Sequence, residues 1–191
     1  MRSVLVVSTL ILASLAAPVQ AQQTGRNAPI VTSEDPAGRL DALFLELKRA
    51  GEPRAAERIS NRIRQQWARS GSASIDLLMQ WAQQAIDQEK TDVALDFLDQ
   101  VIVLAPRYPE GWNRRATLHY SMDDYGKAMD DIAHVLELEP RHFGALGGMA
   151  AILTETGRKE AAIRAHRRLL DVYPSMREAQ SELGKLVDEA T

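Results

Sequence analysis

The side chains in this 191-residue chain that could do chemistry are four histidines, two aspartate doublets and a run of glycines. His119, His134, His142 and His166 form no pair at short spacing, and the chain has no cysteine. The usual zinc-ligand patterns are therefore missing. We predict that His119 and His166 fill apolar core positions and that His134 and His142 lie on the surface. No metal, cofactor or catalytic residue is predicted.

The aspartate doublets, Asp123–Asp124 and Asp130–Asp131, resemble the paired carboxylates of acid–base catalysts only in composition. The first doublet lies in a predicted turn, and the second begins within a predicted helix, where consecutive side chains point apart. We therefore predict a solvated face. Gly144, Gly147 and Gly148 do not follow a strand, which excludes a phosphate loop and favours close packing of a helix.

A period of 34 residues organises most of the chain. Such a period indicates one supersecondary unit that buries its apolar face against its neighbours. Within each unit, apolar residues three and four apart predict two helices around a short polar turn, and a proline ends the second helix. The columns that keep the period are Leu78/Trp112/Leu146, Ala82/Ala116/Ala150, Ala94/Ala128/Ala162, Val101/Val135/Leu169 and Pro106/Pro140/Pro174. In the first unit, Trp81 and Val93 are also placed on the apolar stripes.

This pattern resembles the tetratricopeptide repeat, a 34-residue helix–turn–helix with a signature of tryptophan, leucine-glycine, tyrosine, alanine, phenylalanine, alanine and proline. Arg115 departs from it, since leucine is usual at that position. The copy over residues 109–142 matches the signature best, through Trp112, Ala116, His119, Ala128, Ile132 and Pro140.

The resemblance implies an all-α solenoid of stacked helical hairpins with a C-terminal capping helix. A degenerate copy at the front has the right spacing but lacks the closing proline, and Gly71–Ser74 would change its stacking angle on the next unit. Ser74 and Asp35 are the predicted N-caps of the helices that follow them. The predicted segments are a degenerate hairpin at 35–70, repeats at 75–108, 109–142 and 143–176, and a capping helix at 177–191.

The N-terminus reads as a secretory signal over residues 1–21. Arg2 precedes an apolar run, Val4–Ala17, and the small residues before Gln22 suit signal peptidase, so we expect cleavage between Ala21 and Gln22. An uncleaved membrane anchor is the alternative. Residues 22–34 are predicted to be a disordered leader. The expected location is periplasmic or secreted.

Charge excludes some partners. The formal net charge is −3, with both signs interspersed along the chain. Nucleic acid and anionic membrane surfaces both require a basic patch, so neither is an expected partner.

The family resemblance also implies where a partner would bind, because the first helix of each hairpin lines the concave groove. The lysine–asparagine clamp that some members use for C-terminal carboxylates is not reproduced. The predicted groove is lined by Asp76, Met79, Gln83, Asn113, Thr117, Tyr120, Gly147 and Ala151.

The predicted function is a non-catalytic interaction module that binds an extended peptide or a partner helix in this groove. Two alternatives stay open. One is a structural subunit of a cell-envelope or secretion assembly, which would use the convex face and the ends of the array. The other is an enzyme or small-ligand binder that uses the groove as a pocket.

Overall fold

The computed structural model describes residues 36–189, and within this range every regular element is an α-helix. The predicted signal segment, the leader and the Asp35 cap lie outside the described residues. The predicted all-α class is confirmed. The helices are α1 (Pro36–Arg49), α2 (Pro53–Trp67), α3 (Ala73–Asp87), α4 (Thr91–Leu104), α5 (Pro109–Ser121), α6 (Tyr125–Leu138), α7 (Phe143–Glu155), α8 (Lys159–Val172) and α9 (Arg177–Asp188).

Three hairpins, α3–α4, α5–α6 and α7–α8, form the repeat array. Each one stacks on the next through its second helix, since α4 contacts α5 and α6 contacts α7. Small residues at the hairpin contacts let the paired helices approach closely, which explains the alanine columns. The six alanines in these columns, Ala82, Ala94, Ala116, Ala128, Ala150 and Ala162, are at most 3% exposed.

The turn inside each of these hairpins has the same geometry. Glu89 (φ 57°), Asp123 (φ 58°) and Gly157 (φ 68°) take the left-handed conformation, and they are spaced at the repeat period. The residue after each one closes the turn by donating its backbone N–H to a carbonyl five residues earlier. These bonds are Lys90 to Ala85 at 2.9 Å, Asp124 to His119 at 2.9 Å and Arg158 to Leu153 at 2.8 Å.

A helical hairpin, α1–α2, is present where the degenerate copy was predicted, but it does not stack in front of α3, so the predicted stacking is wrong. α1 contacts α8 instead, and the hairpin packs against the ends of α7 and α8. Without a closing proline, α2 runs on to Trp67, and Gly71 (φ 82°) then redirects the chain into α3. The shared buried cluster contains Leu43, Phe44, Leu47, Ile63 and Trp67 from the hairpin, and Phe143, Leu146, Leu169 and Tyr173 from the array.

Aromatic and ionic contacts hold this hairpin in place. The Trp67 ring stacks on the His142 ring, with centroids 4.1 Å apart and planes 16° apart. Arg141 forms an ion pair with Asp41 at 2.7 Å, and its guanidinium lies 4.2 Å from the centre of the Phe44 ring. Burial of the Trp67, Phe44 and Phe143 rings stabilises the hairpin in this position.

Because α1–α2 packs elsewhere, the leading face of α3–α4 has no helix over it within residues 36–189. Trp81 and Val93, which the spacing placed on buried stripes, are each 43% exposed. At the other end, α9 packs on α8 as the predicted cap. In α9, Leu186 is buried, Leu183 is half-buried and Val187 is exposed.

Two local predictions need correction. The N-cap of α3 is Ser72 rather than Ser74, because the helix begins at Ala73. Asp131 is not solvated: it is 3% exposed and accepts two hydrogen bonds from the Arg115 guanidinium, at 2.9 and 2.7 Å. Arg115 stands where leucine is usual in the resembled pattern, and its charge requires this buried partner.

None of the helices in the described range is long and apolar enough to span a bilayer.

Candidate functional site

The predicted groove residues lie on the first helices of the three hairpins, α3, α5 and α7. α5 and α7 pack side by side, and Arg114 of α5 donates a hydrogen bond to Gln83 of α3. The 34-residue period therefore gives one continuous surface that we call the first-helix face. Its predicted members are Asp76, Met79 and Gln83 on α3, Asn113, Thr117 and Tyr120 on α5, and Gly147 and Ala151 on α7.

Most polar members of this face are already engaged with a neighbour. Gln83 donates to Asp87 at 2.7 Å and accepts from Arg114. Asn113 donates to Glu110 at 3.3 Å, and the Thr117 hydroxyl donates to the Asn113 carbonyl at 2.9 Å. Thr117 is nevertheless exposed. The first-helix face is thus an ordered polar surface rather than a row of free side chains.

Tyr120 connects α5 to α7 by donating its hydroxyl proton to Glu155. This hydrogen bond raises the pKa of Tyr120 and lowers the pKa of Glu155, because it stabilises the neutral phenol beside the charged carboxylate. The pair fixes the Tyr120 ring at the far end of the face.

The near end of the face contains a cavity of about 450 Å³ between the end of α2 and the first turns of α3 and α5. Burial, with the nearby carboxylates of Glu110 and Asp76, raises the pKa of Tyr108. The Tyr108 hydroxyl is buried and has no hydrogen-bond partner among residues 36–189. An uncharged phenol of this kind can donate a hydrogen bond to a ligand carbonyl. The lining residues are Ala68, Asp76, Met79, Gln80, Gln83, Tyr108, Glu110 and Arg114.

Asp76 is held in place at the cavity wall. Its carboxylate accepts from the Ser70 backbone N–H at 3.1 Å and from the Ser70 hydroxyl at 2.6 Å. The linker between α2 and α3 therefore fixes one predicted groove residue directly.

Sequence reasoning missed five residues of this cavity: Ala68, Gln80, Tyr108, Glu110 and Arg114. The repeat period could have found Glu110, which is one period after the predicted Asp76. Tyr108 carried no comparable signal, because it precedes α5 in a loop and is buried only in the folded chain.

His142 is another residue whose position was predicted wrongly. It is 2% exposed, not on the surface, and lies between α2, α5 and α7. Its Nδ1 accepts from the Ala145 backbone N–H at 3.1 Å and caps α7, while Nε2 lies 3.2 Å from a Glu110 carboxylate oxygen. Trp67 covers the ring. His142 therefore couples the first hairpin to the first-helix face.

The other histidines behave as predicted. His119 and His166 are each 6% exposed and fill core positions, whereas His134 is exposed. The close-packing role of the glycines is also confirmed at two positions. A Cβ on Gly144 would lie 3.2 Å from the His142 ring, and one on Gly148 would lie 3.3 Å from Ile132.

Within residues 36–189, no group of three His, Cys, Asp or Glu side chains is arranged to hold a metal ion. What the first-helix face offers is hydrogen-bond donors and acceptors beside Met79 and two aromatic side chains. This arrangement suits non-covalent binding of a polypeptide.

Stacked helical hairpins with one polar face define the class as an α-helical repeat protein. A TPR repeat-containing protein of Rhizobium etli is 52% identical over 157 residues, which cover 82% of this chain and 77% of that protein. The chain belongs to the tetratricopeptide-repeat family. No family model matches it.

More distant relatives agree in fold. The small glutamine-rich tetratricopeptide repeat-containing protein 2 of Saccharomyces cerevisiae is 23% identical over 117 residues, covering 61% of this chain and 34% of that protein. The first TPR of Spaghetti (RPAP3), solved with an HSP90 peptide, superposes with a TM-score of 0.57 at 22% identity over 61% of this chain and 92% of that one. The MamA crystal structure superposes with a TM-score of 0.56 at 15% identity, over 79% of this chain and 82% of that one.

Proposed function

We propose that this chain is a non-catalytic interaction module that binds an extended peptide or a partner helix along the first-helix face. The observation that carries the proposal is the cavity at the near end of that face. There the buried Tyr108 hydroxyl has no hydrogen-bond partner in the described part of the chain. A buried donor without a partner is costly, and a ligand carbonyl would remove that cost.

The rest of the face suits a polypeptide. The cavity combines the Asp76 and Glu110 carboxylates with the Arg114 guanidinium, so it presents both acceptors and donors to a peptide backbone. Met79 offers an adaptable apolar contact beside them. Further along, Thr117 is exposed on the same helix as Asn113, one turn away.

The relatives of this chain support a role in polypeptide binding. Tetratricopeptide-repeat proteins commonly mediate protein–protein interactions, and the RPAP3 repeat domain was solved with a bound HSP90 peptide. That ligand belongs to RPAP3. The predicted groove of this chain does not reproduce the lysine–asparagine clamp, so we do not propose a C-terminal carboxylate as the group that it binds.

The test is a double substitution, Asn113→Glu with Thr117→Glu. It adds two negative charges to the first-helix face and leaves the core columns Trp112 and Ala116 unchanged. We expect the circular dichroism spectrum to be retained and capture of the partner from an envelope extract to fail, because a buried unpaired carboxylate at a contact costs several kcal/mol of binding.

Arg167→Glu on the exposed surface of α8 is the matched control, since it changes the net charge by the same amount away from the face. Capture should survive in the control. Unchanged capture by the folded double variant would contradict binding on this face.

We also propose that the protein is exported to the periplasm or secreted. The proposal rests on the signal-like sequence of residues 1–21 and their predicted cleavage before Gln22. Intact-mass measurement of the exported protein should give a chain that begins at Gln22. A full-length mass in a membrane fraction would instead support an anchored protein.

A further inference from the structure

One end of the repeat array, which none of the helices in residues 36–189 covers, differs in composition from the covered surfaces behind it. Leu77 of α3 is 42% exposed, whereas the residues one and two periods later, Gly111 and Ala145, are buried. A Cβ on Gly111 would lie only 2.7 Å from Val101 of the preceding hairpin. Small residues thus occur where a helix packs closely, and a large apolar residue occurs where none of the described helices does.

Trp81 and Phe97 form the centre of this end face. Their ring centroids are 5.6 Å apart, and together with Val93 and Ala85 they line a shallow cavity of about 380 Å³. The cavity is edged by Gln84, Gln88 and Lys90. Three large apolar side chains exposed together mark an interaction surface. We call Leu77, Trp81, Val93 and Phe97 the end face.

The hairpin that carries the end face concentrates negative charge. Asp99 is paired with Arg115, but no cationic partner in the described part of the chain pairs with Asp87, Glu89, Asp92 or Asp96. Asp92 and Asp96 are exposed and flank Val93 on α4. Between Ala73 and Leu104 the chain has one basic residue, Lys90, and six acidic ones: Asp76, Asp87, Glu89, Asp92, Asp96 and Asp99.

We propose that the end face docks a basic amphipathic helix of a partner protein, as a layer added to the front of the array. In the central hairpin the residues one period after Leu77 and Trp81, Gly111 and Arg115, contact the second helix of the preceding unit, so a docked helix would continue the existing packing. The unpaired carboxylates select a basic partner by charge complementarity. A second copy that used the same face would bring these carboxylates together, which is unfavourable.

The binding experiment uses the full chain and a synthetic leucine–lysine amphipathic helix of about 18 residues, or five turns. A peptide of the same pattern with glutamate in place of lysine is its control. Isothermal titration calorimetry should show binding of the lysine peptide and at least about tenfold weaker binding of the glutamate peptide at low salt. Equal affinity for both peptides would overturn the charge argument.

Two sets of variants locate the binding site. Trp81→Gln with Val93→Gln should weaken binding of the lysine peptide at least about tenfold, since the double substitution removes apolar contact area. Asp92→Asn with Asp96→Asn, which leaves the apolar residues unchanged, should weaken it at low salt and have little effect at high salt. Val103→Gln is the control, because Val103 is 78% exposed on the same helix but outside the end face. Wild-type affinity in both double variants would overturn the proposal.

Sedimentation of the chain without peptide tests whether a second copy of the chain occupies the end face. We expect the wild type and the Trp81→Gln/Val93→Gln variant to have the same oligomeric state. Self-association of the wild type that this variant abolishes would assign the end face to a second copy and overturn the partner-helix proposal.

Discussion

Arg115 and Asp131 form a bidentate ion pair at two repeat positions that hold apolar residues in the neighbouring hairpins. One period earlier the same positions hold Trp81 and Phe97, and one period later they hold Met149 and Ala165. The hydrogen bonds that Arg115 donates to Asp131 raise the pKa of the guanidinium, and Asp99 of the preceding hairpin adds a third contact at 2.6 Å. The central hairpin thus replaces apolar packing with a charged connection to its neighbour.

Removing one member of this pair should be far more costly than replacing both. Arg115→Leu leaves the buried Asp131 carboxylate without its partner, and we expect a loss of about 3–5 kcal/mol in the free energy of unfolding. Arg115→Leu with Asp131→Ala should recover most of that loss, because the neighbouring repeats show that apolar residues fit here. Urea denaturation measures both variants. A double variant as unstable as the single one would contradict this account.

Trp67 should control docking of the first hairpin. The ring is 8% exposed and packs on His142, Phe143 and Phe44. Trp67→Ala should cost about 3–5 kcal/mol at this contact and release α1–α2 before the repeat array unfolds. Hydrogen exchange should then be faster in residues 36–67 than in residues 73–172. Leu45→Ala, at a 56% exposed position of α1, should leave the exchange pattern unchanged.

Ala128 is fully buried where α5 and α6 pack together. Ala128→Leu should overpack this contact and lower the free energy of unfolding by about 1–3 kcal/mol. Asp130→Leu, two residues away on the exposed surface of α6, should change stability little. Thermal melting of both variants gives the comparison. Equal effects would mean that the buried and exposed faces of α6 are assigned wrongly.

His166 should make the fold sensitive to acid. Burial lowers the pKa of this imidazole from its ordinary value of 6.5, with Glu182 opposing the shift, so the unfolded chain takes up a proton at higher pH than the folded one. The neutral imidazole therefore contributes to the free energy of unfolding above about pH 6.5, and this contribution is lost as the pH falls below that value.

His166→Leu places an apolar residue in a column that Leu98 and Ile132 already occupy. Between about pH 7 and about pH 5, the free energy of unfolding should fall less in this variant than in the wild type. His134→Gln, at an exposed position, should follow the wild type. Parallel pH profiles for wild type and His166→Leu would exclude His166 as the source of acid sensitivity.

The sequence alone determined the repeat array. The spacing of Ala82, Ala116 and Ala150 predicted the helical hairpins, because small residues recur only where the same pair of helices meets again. The left-handed turn residues and the buried alanine columns follow from contacts within a unit or between adjacent units. Such contacts lie within one or two periods of the chain, so a periodic pattern is enough to reveal them.

The tertiary structure alone decided where α1–α2 packs and which polar residues of the chain are buried. The apolar spacing of this hairpin is the same whether it stacks on α3 or packs against α7 and α8, so its sequence could not distinguish the two positions. Its partners, Phe143 and Tyr173, lie more than two periods away. His142 looks like a surface loop residue until Trp67 covers it, and Asp131 looks solvated until Arg115 reaches it. Burial of a polar group depends on the partner that satisfies it, and the spacing of apolar residues does not record which polar groups pair in the folded chain.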